Sequence, residues 1–311
     1  MKNTLLLLLF TFIIATISAS SQTIYSKAFG NPRNKPLIYL HGGPGFNAAG
    51  FEGTTAQKLS ENGFYVIVYD RRGEGRSTDK NAQYTFDKTF EDLNLIYDEY
   101  KLTSATLMGH SFGGVLATLY AEKYPKKTTS VILVSGPLTM QETFSTILNS
   151  SKVVYNNKKD SVNLNYINIL EKMDKSSIEY SSYCFSHAMQ NGFYYPKAPT
   201  NEASAIYSKF KTDTLLVQYG SQMTYEAPQG FWKNEKYTTL DIKENLKKVV
   251  KNNTPVFGLY GKDDGLFSEI QIAEIGRLIG KDHLEYFENC SHNLFIDQQS
   301  KFIIALKKWT E

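Results

Sequence analysis

The chain has 311 residues, with 34 Lys and Arg against 31 Asp and Glu, so its formal charge of +3 is close to neutral for this length. The basic residues are scattered rather than gathered into a stripe, which removes the electrostatic footprint that nucleic-acid binding requires. The length exceeds the ~100 to 200 residues of an ordinary domain and suits one large α/β domain carrying an insertion.

Met1-Lys2-Asn3 is a short basic start, residues 4–17 are almost wholly apolar, and Ser18-Ala19-Ser20-Ser21-Gln22 supplies small residues. This is the pattern of a secretory signal peptide over 1–21, with cleavage after Ala19 or Ser21. The apolar stretch is shorter than the ~20 residues of a spanning helix, which favours cleavage over an uncleaved membrane anchor. A secreted or periplasmic protein without stable membrane insertion is expected. Export permits a disulfide, and Cys184 and Cys290 are the only two cysteines, so at most one bridge can form; two buried thiols are the alternative.

The apolar, β-rich runs 36–40 and 64–69 read as buried parallel strands, with a crossover helix over 48–62 between them. Phe90, Leu93, Ile96 and Tyr97 then recur at helical spacing within 86–100. A strand at 105–108, a helix at 115–124 and a strand at 131–134 continue the alternation, which predicts a mostly parallel sheet covered by helices on both faces. From Pro137 to about Asn253 the rhythm gives way to Ser-, Asn-, Lys- and Tyr-rich segments with irregular helical stretches. The alternation resumes with a strand at 255–260, a helix at 268–278, a strand at 283–287 and a helix at 298–309. The expected organisation is a core of 22–136 and 254–311 bracketing a mainly helical cap of 137–253.

Gly109-His110-Ser111-Phe112-Gly113 lies between the strand at 105–108 and the helix at 115–124. In that setting G-x-S-x-G is a nucleophile elbow, whose small residues let neighbouring backbone approach while the serine stays exposed on a strained turn. Ser111 is the candidate nucleophile. A serine hydroxyl needs a base within hydrogen-bond reach and a third group to orient that base. Gly261-Lys262-Asp263-Asp264 and Asn289-Cys290-Ser291-His292 each follow a predicted strand, giving the Ser, Asp, His order of α/β-hydrolases. Asp264 is preferred to Asp263 because it stands three residues after the glycine that ends its strand. Its expected role is to orient His292, which acts as general base and then general acid. Cys290 has no elbow and is not read as the nucleophile. His110, His187 and His283 receive no catalytic assignment and are too dispersed for a metal site. His41-Gly42-Gly43-Pro44-Gly45 falls where an oxyanion loop belongs, with the N–H groups of Gly43 and Phe112 as candidate donors. Asp70-Arg71-Arg72-Gly73-Glu74-Gly75-Arg76-Ser77 reads as a charged turn that orients the loops around the elbow.

Together the HGGPG loop, the DRRGEGRS turn, the GHSFGG elbow and the NCSH segment resemble the prolyl aminopeptidase (proline iminopeptidase) family of serine α/β-hydrolases, including tricorn-interacting aminopeptidases. The resemblance covers nearly all of the mature chain. It implies an α/β-hydrolase fold that needs no metal or organic cofactor. The implied activity is release of an N-terminal residue, often proline, from small peptides or amides. The family also implies cap carboxylates that hold the substrate ammonium, for which Glu179 and Glu226 stand at corresponding places. Two features depart from many members: Phe112 replaces a tryptophan after the nucleophile, and the cap has no W-E pair. A carboxylesterase or other acyl hydrolase with the same machinery is the alternative, and a non-catalytic binding protein is a third reading.

Overall fold

The computed structural model describes residues 24–310, so the signal-peptide expectation over 1–21 lies outside the described residues. Seven strands form one sheet: β1 (Ser26–Phe29), β2 (Lys35–Leu40), β3 (Phe64–Tyr69), β4 (Ala105–His110), β5 (Thr128–Val134), β6 (Val256–Gly261) and β7 (Leu284–Phe287). Their spatial order is β1-β3-β2-β4-β5-β6-β7. β1 runs antiparallel to β3, and all the other pairings are parallel.

Both faces of the sheet are covered, which is why the inner strands are continuous apolar runs rather than alternating ones. Side chains still alternate between the two faces. Ile38, Leu40, Ile67, Leu107 and Leu133 join one core, filled by helices Phe86–Glu99, Phe112–Lys123, Lys243–Lys251 and Glu269–Ile279. Leu37, Tyr39, Val68, Met108 and Val134 join the other, against Phe51, Leu59, Phe295 and Phe302. The predicted helix over 48–62 forms as Ala49–Phe51 and Gln57–Ser60 flanking a π-helical segment, Glu52–Ala56.

Two local differences from the sequence expectation have clear causes. β1 carries no strand signal in the sequence, because an edge strand with a single neighbour has no long buried run; its four residues are half-buried or exposed. The helix after the elbow begins at Phe112 rather than 115. Gly113 and Gly114 resemble helix breakers in sequence, yet their missing side chains are what let this first turn pack. A Cβ on Gly113 would fall on the carbonyl oxygens of Leu40 and His41, and one on Gly114 would press on the Cα of Gly136.

Between β5 and β6 the chain makes a helical excursion through Met140–Lys158, Ser161–Leu170, Ile178–Gln190, Asn201–Ser208, Thr214–Tyr219 and Glu226–Glu235. Side chains of Asp160, Ser177, Thr200 and Asp213 cap the helices they precede, each accepting a backbone N–H from the first turn. The two ends of the excursion are held together: Met140 N donates to Leu240 O at 3.0 Å and Ile242 N donates to Leu138 O at 2.8 Å. The next helix, Lys243–Lys251, packs on Phe112–Lys123 through buried Leu246 and Val249 and so belongs to the layer on the sheet. It precedes residue 253, where the sequence pattern placed the return to the core.

The close approach at the elbow gives a direct test. Gly113→Ala should destabilise the protein by about 3 kcal/mol or more, since backbone rather than a movable side chain occupies the space. Urea unfolding measures it, and a loss below about 1 kcal/mol would show that β2 can yield.

Candidate active site

Ser111 follows the last residue of central strand β4 and precedes helix Phe112–Lys123 with φ 52° and ψ −123°, a left-handed conformation rare for a residue with a side chain. Two contacts hold it there. Ser111 N donates to Val134 O at 2.8 Å, and Gly109 lies so close to Gly113 that a Cβ on it would overlap the Gly113 carbonyl. The serine is partly exposed while Gly109, His110, Phe112 and Gly113 around it are buried.

His292 arrives from the loop after β7, and Asp264 from the loop after β6. The two loops are laced together by Lys262 N to Phe287 O at 2.9 Å and Asp263 N to Cys290 O at 2.8 Å. Gly261 makes this lacing possible, because a Cβ there would meet the carbonyls of Cys290 and Ser291. Asp264 Oδ2 accepts the Nδ1–H of His292 at 2.8 Å, with both side chains at most 5% exposed. Nδ1 thus carries the hydrogen and Nε2 is left with its lone pair. Asp263 points elsewhere, accepting the backbone N–H of Lys197 at 3.0 Å and pairing with its ammonium at 3.5 Å. The ring of His292 is packed by Phe267, Tyr194 and His110, with centroids 6.5, 5.1 and 4.9 Å away.

Around His292 stand further residues to which the sequence alone assigned no role. His110 donates from Nε2 to the His292 carbonyl at 3.0 Å, and burial pushes its pKa down to about 3, so it stays neutral. Asp297 Oδ2 accepts both the N–H and the hydroxyl of Ser291 at 2.7 Å, and its Oδ1 accepts Tyr207 Oη at 2.7 Å from helix Asn201–Ser208. Only the adjacency of His110 to Ser111, and of Ser291 to His292, could have drawn attention to these groups.

Gly43 sits at φ 121° in the loop after β2, where glycine is favoured, and the Gly43–Pro44 peptide is cis. The loop is fixed from below by Arg71, which donates to His41 O at 2.5 Å and Gly42 O at 2.6 Å and pairs with Glu74 at 2.6 Å. Glu74 also accepts the N–H of Gly45. Burial pushes Glu74 up from the ordinary carboxylate range, while Arg71 pulls the other way. His41 is buried and held well below the usual imidazole range, first by desolvation and then by Arg71. Its Nε2 accepts the N–H of Arg71 at 3.1 Å. The N–H of Phe112, first in its helix, has no intrahelical acceptor and lies at the positive end of the helix dipole.

Gly43, Ser111, Phe112 and His292 line one small cleft with Ser135, Pro137, Met140, Thr143, Phe185, Leu266 and Phe267. It encloses about 270 Å³ of empty space, part of it open to solvent. Among the described lining residues none is a carboxylate. Glu179 and Glu226 lie exposed in the first turns of helices Ile178–Gln190 and Glu226–Glu235, outside the cleft lining. Cys184 and Cys290 are buried and unbonded to each other, and burial pushes both thiols up, Cys184 to about 12. Neither thiol is thus poised as a nucleophile. Among the described residues no cluster of His, Cys, Asp and Glu could hold a metal.

A positive-φ serine ending a central parallel strand, in one cleft with an Asp-oriented histidine, defines a serine hydrolase site. Residues 35–299 match the alpha/beta hydrolase fold family, and the chain belongs to that family. It is 24% identical to a proline iminopeptidase of Lactobacillus acidophilus over 93% of this chain and 94% of that protein. A shorter match, 32% identical over 113 residues, relates it to the proline iminopeptidase of Xylella fastidiosa and spans 35% of each. Among solved structures, a proline iminopeptidase-related protein from Thermus thermophilus superposes with a TM-score of 0.64 at 20% identity, covering 92% of both chains. An esterase from Exiguobacterium antarcticum gives 0.60 at 21% identity, covering 92% of this chain and 94% of that one.

The buried histidines set a pH dependence. An unfolded histidine titrates near ~6.5, so below that pH the unfolded chain takes up a proton that folded His110 refuses until about 3. Stability from His110 and His41 is therefore full above ~6.5 and is lost as pH falls. Glu74 and Asp297, both raised by burial, act oppositely: their contribution is present at low pH and is lost as pH rises through their raised values. His110→Gln, which keeps a donor for the His292 carbonyl, should flatten the acid-side slope of stability by about 1.4 kcal/mol per pH unit. Urea unfolding at pH 4 to 7 reads this, and an unchanged slope would remove His110 as its source.

Proposed function

We propose that this protein is an exported serine aminopeptidase that releases an N-terminal residue, proline or another small or apolar one, from short peptides or amides through an acyl-enzyme. The observation that carries the hydrolytic chemistry is the 2.8 Å Asp264–His292 hydrogen bond in the cleft that holds Ser111. Ser111 Oγ attacks the scissile carbonyl and passes its proton to His292 Nε2. Negative charge gathers on the carbonyl oxygen between the N–H groups of Gly43 and Phe112. His292 then gives the proton to the leaving amine as the C–N bond breaks. Water, deprotonated by the same Nε2, attacks the acyl-enzyme, and His292 returns the proton to Ser111 as the acid leaves. Asp264 holds the imidazole in the required tautomer and stabilises the imidazolium.

The aminopeptidase reading draws on the proline iminopeptidases matched over most of the chain. Export rests on the signal-like residues 1–21. One observation favours a second reading, a carboxylesterase: no carboxylate among the described residues lines the cleft to receive a substrate ammonium.

Purified mature protein should hydrolyse free-proline arylamide faster than its N-acetylated form and than a short-chain ester; an ester-first ranking moves the assignment to esterase. Ser111→Ala should lower kcat/KM on every substrate by roughly 10⁴-fold or more, and substantial residual activity would displace Ser111 as nucleophile. Asp264→Asn should cost on the order of 10⁴-fold in kcat and Asp263→Asn less than about tenfold, because only the former reaches His292. Equal losses would reverse that assignment.

A further inference from the structure

We propose that the Ser135 hydroxyl determines specificity by hydrogen-bonding a polar group on the substrate carbon next to the scissile carbonyl; this rests on Ser111 forming the acyl-enzyme. Ser135 is the first residue beyond β5, is fully buried and lines the same cleft as Ser111. Its Oγ has no hydrogen-bond partner, a condition that is costly for a buried hydroxyl. Its φ is 48°, a second left-handed residue with a side chain at this edge of the sheet. Glycine would relieve that strain, and the next residue is in fact Gly136, packed on Gly114 of the elbow helix. A serine that bears both penalties inside a substrate cleft is accounted for when the substrate supplies the missing partner.

Register places that partner. His110 pairs with Val134 across β4 and β5, so Ser111 and Ser135 each follow by one residue on neighbouring strands spaced ~4.8 Å apart. A substituent one bond from the carbonyl held at Ser111 comes within reach of Ser135. Of the other polar side chains lining the cleft, Thr143 donates to Thr139 O at 3.3 Å, His292 Nδ1 is committed to Asp264, and Ser111 Oγ and His292 Nε2 are taken up by the acyl transfer itself. A hydroxyl both donates and accepts, so it can take an N–H of an α-amino or secondary α-amino group, or donate to an α-hydroxyl. The acyl groups selected are therefore α-amino or α-hydroxy acyl groups in preference to plain alkyl ones.

The test compares matched substrates on wild type, Ser135→Ala and Ser135→Gly. One pair is the p-nitroanilides of proline and cyclopentanecarboxylic acid; the other is the p-nitrophenyl esters of 2-hydroxybutanoic and butanoic acid. Both variants should lose about 10- to 100-fold in kcat/KM on the polar member of the pair that wild type cleaves, and less than about threefold on its alkyl counterpart. Equal losses on both members, no loss on either, or a loss in only one variant would overturn the proposal. Titration of Ser111 with a serine-directed phosphonate establishes equal numbers of working sites in the three proteins. Wild type that neither titrates nor turns over removes the acyl-enzyme reading and this role with it, whereas wild type that titrates without discrimination by Ser135 removes the role alone.

Discussion

The structure turns on one strained backbone position. Ser111 can stand above a parallel sheet at φ 52° only because glycines on either side let the turn close, and because the Val134 carbonyl accepts its N–H. Side-chain volume at Gly109 or Gly113 would push the helix off the strand ends. With the turn closed, the positive end of the helix faces the cleft and Phe112 N–H comes free beside the HGGPG loop. The candidate nucleophile and the candidate oxyanion donor are thus two products of the same packing. Their partners come from the ends of β6 and β7, where Gly261 permits an equally close approach of the loops carrying Asp264 and His292.

A charged layer lies beneath the oxyanion loop. Arg71 and Glu74 are paired and at most 3% exposed, and Arg76 is shared between Asp70 and Glu52. Buried ion pairs of this kind are poor sources of stability, because desolvation cancels much of the attraction. Here their hydrogen bonds end on backbone: Arg71 on His41 and Gly42, Glu74 on Gly45, Asp70 on Ala48 and Arg76. The layer therefore fixes a loop in which three of five residues are glycine and have no side chain to hold its shape. That is a physical reason for the charges in the 70–77 turn.

The sheet was readable because strands covered on both faces leave unbroken apolar runs, as in Phe64–Tyr69, and because each run ends in glycine or charge. β1 escaped because four edge residues leave almost no pattern. Ser111, Asp264 and His292 were readable because each follows a strand end, and strand ends are marked in sequence. The parts that depend on contacts between distant segments were not. His110 reaches the His292 carbonyl across 182 positions, and Asp297 touches Tyr207 across 90. The surroundings of Glu179 and Glu226 follow from how the helices between β5 and β6 pack, which short amphipathic stretches do not encode locally.

The paired ends of the helical excursion carry a consequence for how such a protein changes over time. Leu138 and Ile242 are joined by a backbone hydrogen bond, as are Met140 and Leu240, so the chain leaves and re-enters the sheet layer through a narrow neck. The entropy of closing a loop rises only slowly with its length, so chain closure constrains the size of the excursion weakly, and what ties it to the core is packing such as that of Ile206 and the Tyr207–Asp297 hydrogen bond. Ser111, Asp264 and His292 all lie on the sheet side of that neck, while Met140, Thr143 and Phe185 of the cleft lie beyond it. Recombination at two adjacent points can therefore exchange part of the cleft wall while Ser111, Asp264 and His292 are inherited together, provided the contacts to Asp263 and Asp297 are rebuilt.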